Sequence, residues 1–183
     1  MEQKSIISEQ SRANLDKDTV NFYLNEADKQ LEGIVNVSNG ITERSYILLS
    51  GIIAILTGFG WILKAQEGDW TLYVVSVLGM VASIAIITIL ILKVICVHTI
   101  WLPGKRPSEL DINVFIDYYS TRKLTKEQRY IHIVADHLDA IEAKIALNLR
   151  DVKIRTIWYA RCLKICLYTI CAIACILIVG NFI

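Results

Sequence analysis

The residues best suited to chemistry in this chain are its three histidines and five cysteines. The densest cluster is "RYIHIVADHLD", where His132 and Asp136 stand one helical turn apart with His137 and Asp139 beside them. That spacing lets an imidazole and a carboxylate share a metal ion or a hydrogen bond. It equally suits a solvated helix face beside an apolar seam, and that plainer reading is the expectation. His98, His132 and His137 belong to no nucleophile-elbow or zinc-protease motif. Arg129 is too near His132 and too far from His137 for a ribonuclease pair of arginine and histidine. Cys96 stands alone, while Cys162, Cys166, Cys171 and Cys175 fall on one expected helix, the first two on one face and the last two nearly opposite. They cannot converge on one ion, no CxxC occurs, and they are expected to be small packing residues. "GKRPS", residues 104–108, lacks the earlier glycine and the strand of a phosphate-binding loop. With a net charge of +1 and no basic groove pattern, nothing favours nucleic acid. The expectation is a protein that is not an enzyme and uses no metal or cofactor.

The elements that carry these residues are set by hydrophobicity, which reaches 54% of the chain. It is gathered in three blocks, about 46–63, 72–95 and 165–183, each near the roughly 20 residues that cross hydrocarbon. The expected fold is an all-α integral membrane protein with three transmembrane helices and cytoplasmic amphipathic helices. Its parts are an N-terminal cytoplasmic helix (1–44), a transmembrane hairpin extending into the cytoplasm (45–102), a cytoplasmic helical region (103–163) and a C-terminal transmembrane helix (164–183). The first 44 residues are polar and carry acids as well as bases, so no secretory signal is expected ahead of the first block. Lys105, Arg106, Arg122, Lys123, Lys126 and Arg129 follow the second block, whereas the connector after the first holds Lys64 with Glu67 and Asp69. The positive-inside rule therefore places the N-terminus in the cytoplasm and the C-terminus outside. Tyr46, Trp101, Trp158 and Tyr159 on the inner side, and Trp61, Trp70 and Tyr73 on the outer, suit the headgroup level.

Between the blocks, Val20, Phe22, Tyr23, Leu24, Ala27, Leu31, Ile34 and Val35 recur at spacings of three and four, an amphipathic helix that Asn39-Gly40 should break. The second block should continue as helix to Pro103-Gly104, setting Lys93 at the interface, with Lys105 and Arg106 near anionic headgroups. Ser108 predicts a short helix to about Thr121. Thr125 with Gln128 starts a run from Lys126 to Val179 free of Gly and Pro, which as one helix would be about 80 Å long. Along it Ile131, Val134, Leu138, Ile141, Ile145, Asn148 and Val152 keep the spacing of a coiled-coil assembly seam. Asn148 could set register there or face solvent at a bend.

Small residues form stripes in two blocks. Ser50, Gly51, Ala54, Thr57 and Gly58 share about a third of one helix, and Ser76, Gly79 and Ser83 share a face of the next. A hairpin about the 65–71 connector sets Gly58 near Gly79 and Ala54 near Ser83. The stripes then serve either transmembrane packing, since small faces let helices approach closely in lipid, or the lining of an oligomeric pore through the Ser and Thr hydroxyls.

The layout of a cytoplasmic amphipathic helix, a two-span hairpin and a cytoplasmic helical region resembles small bacterial anti-phage membrane effectors, the SLATT-type proteins and the accessory membrane proteins of type VI-B CRISPR systems. The resemblance is architectural, and the third span departs from it. It implies a homo-oligomeric pore or channel-like effector that permeabilises the bacterial inner membrane on a signal from a cytoplasmic sensor. The alternative is a non-conducting anchor or scaffold that recruits a cytoplasmic partner.

Overall fold

The computed structural model describes residues 12, 14–65, 69–96, 100–102 and 124–180, and among these the secondary structure is entirely helical. Three long helices account for it: α1, Lys17–Ala65; α2, Trp70–Ile89, prolonged by a π-helical turn, Leu90–Ile95; and α3, Lys126–Gly180. Each is long and apolar enough to cross a membrane. The expected helix from Ser108 to Thr121 lies outside the described residues, as do Lys105 and Arg106.

The helix starts follow from local chemistry. At α2 the Asp69 carboxylate accepts from the N–H groups of Thr71 (2.9 Å) and Leu72 (3.3 Å), pairing donors that the first turn leaves without partners. At α3 Thr125 and Gln128 form a reciprocal capping box: Gln128 Oε1 accepts from the Thr125 N–H at 3.0 Å, and Thr125 Oγ1 from the Gln128 N–H at 3.3 Å. Before α1 the Asp16 carboxyl is held below its usual range by a hydrogen bond from the Thr19 side chain.

Two expected boundaries are corrected. Asn39-Gly40 does not break α1, which runs through it. A glycine inside a helix costs only about 1 kcal/mol against alanine, and the Thr42 hydroxyl donates to the Ser38 carbonyl at 3.1 Å across this turn. The second helix does not reach Pro103. It closes with a 2.7 Å bond from the Cys96 N–H to the Ile91 carbonyl, and Cys96 then turns extended at ψ 136°.

The described residues divide between two compact units, and α1 and α3 supply residues to both. The first unit comprises 1–36 and 100–150. Its core joins Val20 to Ile131, Val134 and Leu138, with Leu15, Leu24, Ala27 and Tyr130 packed around them. The Tyr130 hydroxyl donates to Asn21 Oδ1 at its edge. The second unit comprises 37–99 and 151–183, with a core of Ile52, Ile86, Leu90, Val94 and Cys162. Outside that core it leaves large apolar side chains exposed on every helix, among them Ile55 and Trp61, Val81 and Ile84, and Leu167 and Ile170. So much exposed apolar surface calls for lipid or another protein.

Candidate functional site

The second unit buries one arginine. Arg155, on α3, is only 2% exposed, and its guanidinium reaches two other helical segments, α1 and the π turn. Nε donates to the Val94 carbonyl at 2.9 Å, Nη1 to Ser38 Oγ at 2.7 Å, and Nη2 to Thr42 Oγ1. Asp151, one turn back on α3, brings a carboxylate oxygen to 4.0 Å from Nη1. Val94 lies in the last turn of the π segment, where a carbonyl has no partner further along its own helix and where the helix dipole favours a cation. Desolvation pushes the Arg155 pKa down and Asp151 pushes it back up, yet an arginine stays charged at any physiological pH. The arrangement holds helices together.

In the sequence Arg155 is one basic residue among Arg155, Arg161 and Lys164 ahead of the third apolar block, and nothing local announces its partners. A signal for its burial is present: Ile141, Ile145, Asn148, Val152, Arg155 and Cys162 keep one helical register, so Arg155 falls on the apolar seam.

The small-residue stripes do not meet as expected. A Cβ added at Gly79 would lie 2.3 Å from the Phe59 ring, so the ring packs directly against that glycine. Ser76 and Ser83 are buried on the same face. Ser83 Oγ donates to the Gly79 carbonyl at 2.7 Å, and the Ser76 hydroxyl has no partner among the described residues. On α1, by contrast, a Cβ at Gly51 or Gly58 would meet nothing within 4 Å, and Ser50, Ala54 and Thr57 are exposed too. The α1 side that enters the core carries Ile52 and Phe59, opposite Ala54 on the helix. The pairing of Gly58 with Gly79 and of Ala54 with Ser83 is thus overturned: an aromatic ring on a glycine buries more apolar area than glycine on glycine. The Ser50 and Thr57 hydroxyls donate to their own helix, to the carbonyls of Tyr46 (3.0 Å) and Ile53 (2.9 Å).

No protein-family profile matches this chain, and neither the curated proteins nor the solved structures give a significant match.

The expected assembly seam is consumed within the first unit. Ile131, Val134, Leu138, Ile141 and Ile145 are buried there, and only Val152, in the second unit, is half-exposed. Asn148 does not face solvent. Its amide clasps the backbone of Trp101, with Oδ1 accepting from the N–H at 3.1 Å and Nδ2 donating to the carbonyl at 2.9 Å. Lys144 Nζ donates to the neighbouring Leu102 carbonyl at 3.0 Å.

At the histidine cluster the partner is a cation that sequence spacing could not reveal. Arg12 Nη1 donates to Asp136 Oδ1 at 2.8 Å and lies 3.4 Å from His132 Nδ1, and Nη2 lies 3.5 Å from Asp139. No group of metal-binding side chains forms among the described residues. All five cysteines are free: Cys162 is buried, Cys166 half-buried, and Cys96, Cys171 and Cys175 exposed.

Proposed function

We propose that the chain is a homo-oligomeric, channel-like membrane protein whose copies meet through the Ser50, Ala54 and Gly58 face of α1. The observation that carries the reading is the contrast between the two stripes. Gly79 is covered within the chain, while Gly51 and Gly58 meet nothing. Among hydrocarbon tails apolar helices gain little from leaving lipid, so association rests on close backbone approach, and small residues at spacings of four permit it. In this reading the protein crosses the bacterial inner membrane with its N-terminus in the cytoplasm and its C-terminus outside. Assembly on a signal from a cytoplasmic protein permeabilises that membrane as an anti-phage response. The pore, having no ring of charge inside the spans, is weakly selective and gated by a dry constriction.

Reconstitution tests it. Ion or dye flux that rises with the oligomer fraction supports the reading, and sealed liposomes containing intact oligomers overturn its conducting part. They would favour a second reading, a non-conducting anchor that recruits a cytoplasmic partner. What speaks for that reading is the exposed pair Phe22 and Tyr23 in the first unit, stacked edge to face at 5.9 Å.

A further inference from the structure

Two cations of the second unit share one indole. Lys93 Nζ stands 5.9 Å from the centre of the Trp158 ring, and the Arg161 guanidinium stands 4.4 Å from it. Lys93 comes from the π turn that ends the second apolar helix, and Arg161 from α3 just before its apolar stretch. Both side chains are exposed, and neither makes an ion pair or hydrogen bond among the described residues. The indole itself is half-buried and packs against the unit's core, which fixes the platform.

We infer that Lys93 and Arg161, held beside the indole of Trp158, bind the phosphate of an anionic phospholipid headgroup. The inference rests on the reading of the apolar helices as bilayer spans, which puts Trp158 at the depth where amphipathic rings collect. A cation on a ring face keeps its N–H donors free at the edges. The guanidinium fork matches two phosphate oxygens, and the ammonium adds a compact second charge with three donors. Residues 70–96 and 152–180 contain no carboxylate, and α3 adds Lys153 and Lys164 to the positive field. Asp151 is already engaged by Arg155. The sequence suggested Lys93, Lys105 and Arg106 for headgroups one by one; the indole of Trp158 and the guanidinium of Arg161 turn Lys93 from a snorkelling lysine into part of a site with two donors and a fixed wall.

Native mass spectrometry of the detergent-solubilised full chain, titrated with phosphatidylglycerol or phosphatidylcholine, tests the site. The wild type retains phosphatidylglycerol in preference. Lys93→Gln and Arg161→Gln each weaken retention about fivefold and the double variant about 25-fold, while Lys64→Gln, at the far end of α1, has no effect. Arg161→Lys keeps the charge and loses less, which provides a reading should a glutamine variant fold poorly. Equal retention of the two lipids, or unchanged retention in the double variant, overturns the inference. Displacement of the lipid by millimolar inorganic phosphate overturns it as well, because the site would then serve a free anion. Oligomer size and flux measured on the same samples keep the outcomes apart: lost lipid preference with normal assembly sinks the headgroup site alone.

Discussion

The Nε of Arg155 donates a 2.9 Å hydrogen bond to the carbonyl of Val94, which lies 61 residues earlier in the chain. The same guanidinium reaches the hydroxyls of Ser38 and Thr42, so three helical segments of the second unit converge on one buried charge. Arg155→Ala should lower stability by about 3 kcal/mol, because truncation removes three hydrogen bonds to a charged group and strands the buried acceptors at Val94, Ser38 and Thr42. Arg155→Met, which keeps the volume and removes the charge, should cost less, about 1–2 kcal/mol for the lost hydrogen bonds. Arg155→Lys should fall between, since an ammonium cannot serve three directions from one plane. Denaturant titration in detergent micelles, followed by helicity, ranks the three variants.

The glycine pair separates folding from assembly. Gly79→Ala puts a methyl group where Phe59 already sits, so it should destabilise the monomer by about 1–3 kcal/mol. Gly58→Leu meets open space within the chain and should leave the monomer's melting unchanged while abolishing its oligomers. Thermal melting and size-exclusion chromatography with light scattering, run on both variants, read the two effects separately.

Asn148 should matter to stability and not to assembly. Asn148→Ala leaves the N–H and C=O of Trp101 without the amide and should cost about 1–3 kcal/mol. Asn148→Asp keeps the acceptor but sets a carboxylate against the Trp101 carbonyl, so it should not rescue the loss. Thermal melts of the two variants decide, and oligomer size should be the same in both as in the wild type.

Thiol labelling checks the topology. In membranes a polar maleimide should modify Cys96, which is exposed at the end of the second apolar helix, and only from the cytoplasmic side. Cys162 is shielded by the protein core, and Cys171 and Cys175 by lipid in the proposed arrangement. Mass spectrometry of labelled inside-out and right-side-out vesicles reads both the site and the side.

Several of these relationships were legible in the sequence because they depend on local periodicity. The three apolar spans and the capping box of Thr125 and Gln128 follow from residues a few positions apart, whereas the continuity of α3 from Lys126 to Gly180 was left open by a run that merely lacks helix breakers. The relationships that were not legible are those in which two local signals compete or the partner is distant. Asn39-Gly40 reads as a turn, yet the helix prevails through the hydrogen bonds of Ser38 and Thr42. In α1 the small stripe and the side of Ile52 and Phe59 are equally periodic, and only tertiary packing selects the side that turns inward. Arg155 spells the same letter whether it stands before a membrane span or sits inside a core, and its seam register, the one signal that separates the two, went unread. Asn148 was singled out correctly as anomalous, but its partner is a backbone segment 47 residues away.

Cysteine cross-linking on α1 tests most directly whether copies meet through the open face. In a background with the five native cysteines replaced by serine, Ala54→Cys lies on that face, and Ile53→Cys is also exposed but turned about a quarter of the helix away. With both variants reconstituted in liposomes and oxidised, the account predicts covalent dimers from Ala54→Cys, few from Ile53→Cys, and none from Ala54→Cys once Gly58→Leu is added. Equal cross-linking at the two positions, or dimers that persist with Gly58→Leu, would contradict it.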